Sequence, residues 1–551
     1  MDMLEPLIVA CGGKDNLQRI QKVHNLLIAE LVDPELRMVS SLPLTFNAPQ
    51  EQIVWQPAPP LSTQQWQILG SIVDTNLRKQ LQEKAASVSS PYRPTWHISA
   101  EQGFLGDPNA FVYFQGAYHL FYVLSPDCED KRIAWAHVTS TDLVNWIEHP
   151  IALMPSDWFD SHGVYSGHCI VHDEQLMLFY TGNVRIGEQR QRMTYQCLAT
   201  STDGFNFRKQ GPVIEDLPPQ VTAHCRDPKI VRNGDHWLMF VGAQLTSGLG
   251  RLASYRSADL HHWEFAGIFG DELGDFGYMW ECPDLIEVDG QLIAIICPQG
   301  IVSNSPHYQI DHHNGYLKAS LDPQDELHLD GFSRLDYGFD FYAMQTGKSP
   351  DGRALLVAWM GLPDENQHPT KAQGWLHQLT CIRELSFEDG KLYQRPAREL
   401  QALRSAYQDF ELSVAAEQQI TLPKGRSYEL QMNLSWLMEG AVDLHFMSDE
   451  QSYCRFSLDG LRQKIVLDRS GALPTDGEKI RELDMVNQQD VKLQILVDQS
   501  SIEIFINDGE FVMTAVVFTE PGDSRLKLSA TQPMPWQPIH YWTLAKPGMG
   551  R

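Results

Sequence analysis

Ser140-Thr141-Asp142-Leu143-Val144-Asn145-Trp146 is the stretch that makes the middle of this chain readable. It recurs as Ser201-Thr202-Asp203-Gly204-Phe205-Asn206-Phe207 and again as Ser257-Ala258-Asp259-Leu260-His261-His262-Trp263. Repeats 61 and 56 residues apart are long enough for a blade of about four strands, the unit of a β-propeller. Before, between and after the repeats lie hairpins, each headed by a polar residue. Asp107 precedes Asn109–Phe114, Ser166 precedes Cys169–His172, Asp227 precedes Ile230–Arg232, Glu281 precedes Leu285–Val288, and Gln345 precedes Leu355–Met360. The distance from head to turn is odd every time, so a two-residue strand period gives all five heads one side-chain parity. Five heads predict five blades whose innermost strands deliver polar groups to one end of a common axis.

Outward from this core, the pattern changes at both ends. Gln18–Val32 and Gln65–Ala86 have helical spacing, and the Pro- and Gln-rich Leu42–Pro60 between them reads as a linker. Beyond residue 408, Ser501–Ile506 alternates, turns at Asn507-Asp508-Gly509 and continues as Phe511–Phe518, a hairpin signal in a strand-rich unit that reads as a sandwich. The expected fold is all-β. Residues 1–90 form a helical extension and linker, 91–405 a five-bladed propeller, and 408–547 a C-terminal β-sandwich.

Composition narrows the partners. Against 43 Lys and Arg stand 70 Asp and Glu, a formal charge of −27 that repels nucleic acid and anionic lipid. No run of about 18 apolar residues exists to span a membrane. Nine cysteines without regular spacing, several in apolar strand-like runs, fit free buried thiols and a cytoplasmic location. No CxxC or HExxH pair suggests a metal, and no cofactor is expected.

Three acidic motifs carry the chemistry: Asp107-Pro108-Asn109, Arg226-Asp227-Pro228 and Glu281-Cys282-Pro283. Carboxylates converging on one centre are the equipment of glycosidic bond cleavage. Together with Tyr118–Tyr122, Trp135-Ala136-His137, Tyr165-Ser166-Gly167, Gly277–Leu285, Cys297–Ile301, Asp340–Ala343, Trp359-Met360-Gly361 and Arg383-Glu384-Leu385, they resemble the invertase family of glycoside hydrolases, family 32. Within that family the resemblance is to the bacterial enzymes acting on sucrose 6-phosphate. It covers residue 92 to the end. It implies a β-fructofuranosidase that cleaves sucrose 6-phosphate or sucrose by a retaining double displacement. Asp107, ionised at an ordinary pKa, would be the nucleophile. Glu281, with a raised pKa, would be the acid and then the base. Asp227 would clamp fructose hydroxyls and Arg226 would orient the carboxylates. Strand register adds Ser166 and His168 as expected substrate contacts, Phe341, Tyr342 and Gln345 are expected at the rim, and Trp135 is expected either to stack on the sugar or to pack within a blade. Arg185, Arg190, Arg192 and Arg251 are basic candidates near the mouth.

The chain departs from the family pattern close to the chemistry. Gly106 stands where an asparagine precedes the nucleophile, Ala110 replaces a glycine, and Val123 and Ser125 replace two amides; His168 and Met344 replace a serine and a proline. The three carboxylates are intact, so an active hydrolase with an altered pocket is expected. The alternatives are a fructo-oligosaccharide hydrolase or fructosyltransferase, or a carbohydrate-binding propeller that has lost catalysis. A second similarity lies at Gly12–Leu17, which looks like the opening of the B domain of sugar phosphotransferase permeases. The cysteine phosphorylated there would fall at Val23, so the segment is read as a helical cap on the main body.

Overall fold

The recurring Ser-x-Asp stretches are turns closed by their own side chains. Asp142 Oδ1 accepts from the N–H groups of Val144 and Asn145, Asp203 Oδ1 from Phe205 and Asn206, and Asp259 Oδ1 from His261 and His262. Leu143, Gly204 and Leu260 take left-handed φ angles of 62°, 77° and 68° beside them. Each turn joins the third strand of a sheet to its fourth. The computed structural model describes residues 4–38, 42–84, 89–129, 132–302, 308–412, 417–421, 426–448, 453–473, 475–485, 490–520, 525–533 and 537–545.

Five antiparallel sheets follow one another in the chain, each a meander of strands in sequence order. Their first strands are Gly103–Phe114, Val164–His172, Val221–Asn233, Met279–Val288 and Tyr342–Lys348. Each of these packs against the first strand of the next sheet, and the fifth packs against the first. That circular packing is the arrangement of a β-propeller. A two-residue strand, Trp375–Leu376, pairs in parallel with Gly103 and Phe104, so a segment late in the chain adds a strand to the first sheet.

The N-terminal segment corrects the expectation of helices joined by a linker. Gln18–Val32 is a hairpin of two strands, Leu17–Val23 and Leu26–Leu31, and Leu42–Pro60 contains two more, Leu44–Asn47 and Gln52–Trp55. The four make one antiparallel sheet. The turn is the two-residue His24-Asn25, with His24 at φ 54°; a turn without glycine or proline leaves the helical spacing of the apolar residues unbroken in the sequence. The helix Thr63–Lys84 covers the expected Gln65–Ala86 except for residues 85 and 86, which lie outside the described residues, and a short helix spans Leu4–Ala10. Leu7, Ile20, Leu27, Trp55, Leu69 and Val73 form the core of this unit, which continues into Ala134 of the first sheet and Met154 just after that sheet's fourth strand.

After Leu403 come two six-stranded antiparallel sheets with an apolar core between them. The expected hairpin is present as Ser501–Ile506 and Phe511–Val516, with Asn507 and Asp508 both left-handed. Buried ion pairs hold this unit to the propeller. His97 sits between Asp498 (2.9 Å) and Glu503 (3.1 Å), and Arg383 reaches Glu503 at 2.7 Å and Asp336 at 3.2 Å.

Candidate active site

The pairing of all five innermost strands breaks at the same level. The breaks fall at Gly106-Asp107, at Ser166, at Asp227-Pro228, at Cys282-Pro283 and at Ala343-Met344. A bulge inserts a residue and re-aims the side chains around it. Asp227, Cys282 and Ala343 all adopt left-handed φ angles (67°, 46° and 52°), the backbone strain that clusters at functional sites.

The bulges correct the single-parity expectation for the five heads. The last paired residues before the bulge are Arg226, Glu281 and Tyr342, and the first after it are Lys229, Asp284 and Gln345. Glu281 is therefore in register with Arg226 and Tyr342, not with Asp227. Gln345 belongs with Lys229 and Asp284. An odd head-to-turn distance carries parity only through an unbroken strand.

This register assembles the carboxylates. Arg226 donates to Glu281 Oε1 from Nε (3.0 Å) and Nη2 (2.6 Å), while Glu281 Oε2 accepts from the Tyr342 hydroxyl and the Gln299 amide, each at 2.6 Å. Asp227 Oδ2 accepts from the Cys282 N–H at 3.0 Å, and its own N–H donates to Thr181 Oγ1 at 3.0 Å. The Cys282 thiol lies 3.8 Å from Oδ2 of both Asp107 and Asp227, which fixes those two groups on either side of one sulfur. Ser166 donates to Asp107 Oδ2 at 2.6 Å. Behind it, Asn109, with its amide turned to satisfy both ends, donates to Ser166 Oγ at 3.0 Å and accepts from Val123 N–H and Trp135 Nε1.

Proton affinities run opposite to the expectation. Burial, with Asp227 and Glu281 adding repulsion, pushes the Asp107 carboxyl up to about 7 despite the Ser166 hydrogen bond. Burial raises Asp227 to about 6 against the pull of Arg226. Burial would raise Glu281 too, but the Arg226 charge and the Tyr342 hydroxyl outweigh it and hold Glu281 below the usual glutamate value. Three carboxylates share one guanidinium, and the least neutralised of them keeps the proton.

The other expected residues divide. Ser166, Arg226 and Tyr342 touch the carboxylates. Trp135 is wholly buried and donates to Tyr165 O, a packing position within the first sheet. His168 lies one layer deeper, where Lys229 Nζ meets its Nε2 at 2.9 Å and Asp284 Oδ1 at 2.6 Å. Phe341 is buried under the Arg383 guanidinium, and Gln345 donates to Gly167 O. Arg251 is buried and bonded to Asp271, and Arg190 is exposed at a turn. Arg185 and Arg192 face each other across a strand pair; Arg192 Nη1 meets His224 Nδ1 at 3.2 Å, and Arg226 Nη1 meets the same nitrogen at 3.4 Å. Thr181 and His224 lie outside every motif above, whereas Asn109 belongs to the first acidic motif, which gave it no role. Gln299 stood inside the quoted Cys297–Ile301 stretch, and its place beside Glu281 follows from the pairing of Glu281 with Cys297.

The departure at Gly106 has a steric cause. A Cβ there would lie 2.9 Å from the Phe104 ring and 3.1 Å from Val123 Cγ1. Phe104 in turn packs edge-on against Trp359, with ring centroids 5.5 Å apart. Any side chain at 106 would press on the Phe104 ring and on Val123, so an asparagine here needs both to give way.

Comparison with known proteins agrees with this geometry. Residues 97–396 match the model of the glycosyl hydrolases family 32 N-terminal domain, and residues 399–543 match that of the family 32 C terminal. A probable sucrose-6-phosphate hydrolase of Psychromonas ingrahamii is 46% identical over 525 residues, 94% of this chain and 95% of the relative. The solved sucrose-6-phosphate hydrolase of Lactobacillus gasseri superposes with a TM-score of 0.77 at 30% identity, covering 86% of this chain and 97% of that one. A β-fructofuranosidase of Bombyx mori, solved as a substituted variant in complex with sucrose, gives 0.75 at 32% identity over 86% of this chain and 98% of that one.

Proposed function

The chain belongs to glycosyl hydrolase family 32, and from that premise we propose that its three carboxylates hydrolyse the fructosyl bond of sucrose 6-phosphate with retention of configuration. It is a glycoside hydrolase. The observation that carries the site assignment is the meeting of Asp107, Asp227 and Glu281 around Cys282 and Arg226. Asp107, oriented by Ser166, attacks the anomeric carbon of fructose and forms a fructosyl ester. Glu281 gives its proton to the departing glycosidic oxygen, then takes one from the water that cleaves the ester. Asp227, immobilised through its backbone and one oxygen, has its other oxygen for fructose hydroxyls. In this scheme the required single proton belongs to the triad as a set. Burial favours the proton on Asp107 in the free site, so substrate binding has to shift that preference towards Glu281.

The phosphate has a matching receiver. Arg185 and Arg192 have no carboxylate partner among the described residues, in a chain with a large excess of acids. Like charges directly opposite on paired strands repel, and an anion between them relieves the cost. Through His224 this pair adjoins Arg226 and the carboxylates. We assign it the 6-phosphate.

The five sheets are read as the blades of one five-bladed propeller over residues 91–405, preceded by a unit over 1–90 and followed by a sandwich over 408–547. All nine cysteines are free, which supports a cytoplasmic location.

The test is the anomer first released, followed by NMR on sucrose 6-phosphate. Retention yields β-fructose, and Asp107→Asn abolishes turnover. Release of α-fructose, or an Asp107→Asn enzyme of normal rate, overturns the assignment.

A further inference from the structure

The hairpin carrying Arg185 and Arg192 overhangs its sheet. The neighbouring strand begins only at Val164, paired with Gly182; Asn183 is still held by the Gly163 carbonyl and the His162 N–H, and beyond it the edge of the hairpin has no strand on that side. Two groups close it. His162 Nδ1 accepts from the Arg185 N–H at 3.2 Å, and Gln21 Nε2 donates to the Arg185 carbonyl at 2.9 Å. Gln21 comes from the N-terminal sheet, is only 4% exposed, and its amide also stands 3.4 Å from His162 Nε2. Two neighbours on the same strand reinforce the contact: Arg19 Nε donates to Ser161 O at 2.9 Å, and the Lys22 ammonium lies 4.3 Å from the centroid of the Trp158 ring. Both backbone groups of Arg185 thus end in a contact supplied or buttressed by the N-terminal unit. From Arg185 the line runs across the strand pair to Arg192, then through His224 to Arg226 and Glu281.

We propose that the N-terminal unit, residues 4–84, is a specificity element: it pins the overhanging hairpin and so sets Arg185 and Arg192 at the spacing that receives a sugar phosphate. Gln21 is its positioning residue. The family matches begin at residue 97 and leave this unit without a role. The inference rests on the assignment of the phosphate to the arginine pair.

Gln21→Met in the full chain keeps the side-chain volume and removes the donor. One lost buried hydrogen bond predicts a rise in KM for sucrose 6-phosphate of roughly threefold to tenfold, with kcat little changed. The constants for unphosphorylated sucrose stay where they are, and inhibition by inorganic phosphate weakens in parallel. A purely stabilising role moves both sugars together or moves neither, and either result overturns the proposal. If Gln21→Met fails to fold, Arg19→Met removes the adjacent tether and carries the same expectation. Arg192→Ala, measured alongside, separates the two claims. Should it leave discrimination between the sugars intact, the phosphate assignment fails. If it abolishes discrimination while Gln21→Met does not alter it, only the role of the N-terminal unit fails.

Discussion

Arg226 and Glu281 occupy the same register position in adjacent sheets, each the last paired residue before a bulge, and that equivalence brings Nη2 to 2.6 Å from Oε1. Both are nearly buried, so the pair is a desolvated one whose partners depend on each other. Arg226→Ala leaves three carboxylates without a counter-charge. Turnover is expected to fall on the order of a hundredfold, corresponding to about 3 kcal/mol. Every carboxyl of the triad then holds its proton more tightly, so the alkaline limb of the pH–rate profile moves to higher pH. Steady-state rates across pH for the variant check both.

The parent enzyme is expected to have a narrow bell-shaped profile. Catalysis as proposed needs one proton on the triad. A second adds as pH falls below about 6, where Asp227 titrates, and the last departs as pH rises past about 7, where Asp107 titrates. A flat rate of hydrolysis from pH 5 to 9 contradicts this. The two limbs belong to the set of three groups, so neither is a property of a single side chain.

Ser166→Ala takes away the donor to Asp107. A hydrogen bond to a charged acceptor is worth about 1.5–3 kcal/mol, so kcat should drop roughly tenfold to a hundredfold while KM changes little. The proton also settles more firmly on the aspartate, because this bond was lowering its affinity. Restoring threonine at this position should recover part of the rate.

His97 ties the propeller to the sandwich. Burial opposes its charge, but Asp498 and Glu503 overcome that and raise its pKa in the fold. A raised value stabilises the fold fully below the unfolded pKa of about 6.5, and the contribution is lost as pH climbs through the folded value. His97→Ala leaves two buried carboxylates without that partner and should cost about 3–5 kcal/mol. Denaturant titrations at pH 6 and pH 9 should find the difference between parent and variant larger at pH 6.

His119 and His137 have the opposite sign. Their rings stack with centroids 5.1 Å apart, and burial lowers them to about 4 and about 2. Their neutral forms support the fold above about pH 6.5, and that support is lost as pH falls below the unfolded value. His137→Phe should flatten the acid limb of a melting-temperature curve between pH 7 and pH 5, and an unchanged slope would count against it.

The sheet order and the three carboxylates were legible because repeated turns and acidic heads leave periodic marks. The Ser-x-Asp stretches proved to be side-chain-closed turns, which is why they recur. What a period cannot carry is its own interruption. The bulges at Asp227-Pro228 and Cys282-Pro283 shift parity by one, and that shift pairs Glu281 with Arg226. Its inverted proton affinity was hidden for the same reason, since it depends on which neighbour lands beside it. The N-terminal hairpin was lost at His24-Asn25, a turn without glycine. Motif membership points Trp135 towards the sugar and strand parity points His168 there, while contacts with Tyr165 and Lys229 decide where they lie.

Trp375–Leu376 pairs with Gly103–Phe104, three residues ahead of Asp107, and that contact orders events during synthesis. The strand bearing the nucleophile leaves the ribosome among the first of the propeller with its antiparallel neighbour Ala117–Ser125 close behind, yet its parallel partner follows some 270 residues later. Contacts so distant along the chain form late and slowly. Asp107 is made early, but its strand is completed late: a nascent chain stopped before residue 375 has every acidic group of the triad and lacks the parallel strand beside Gly103 and Phe104.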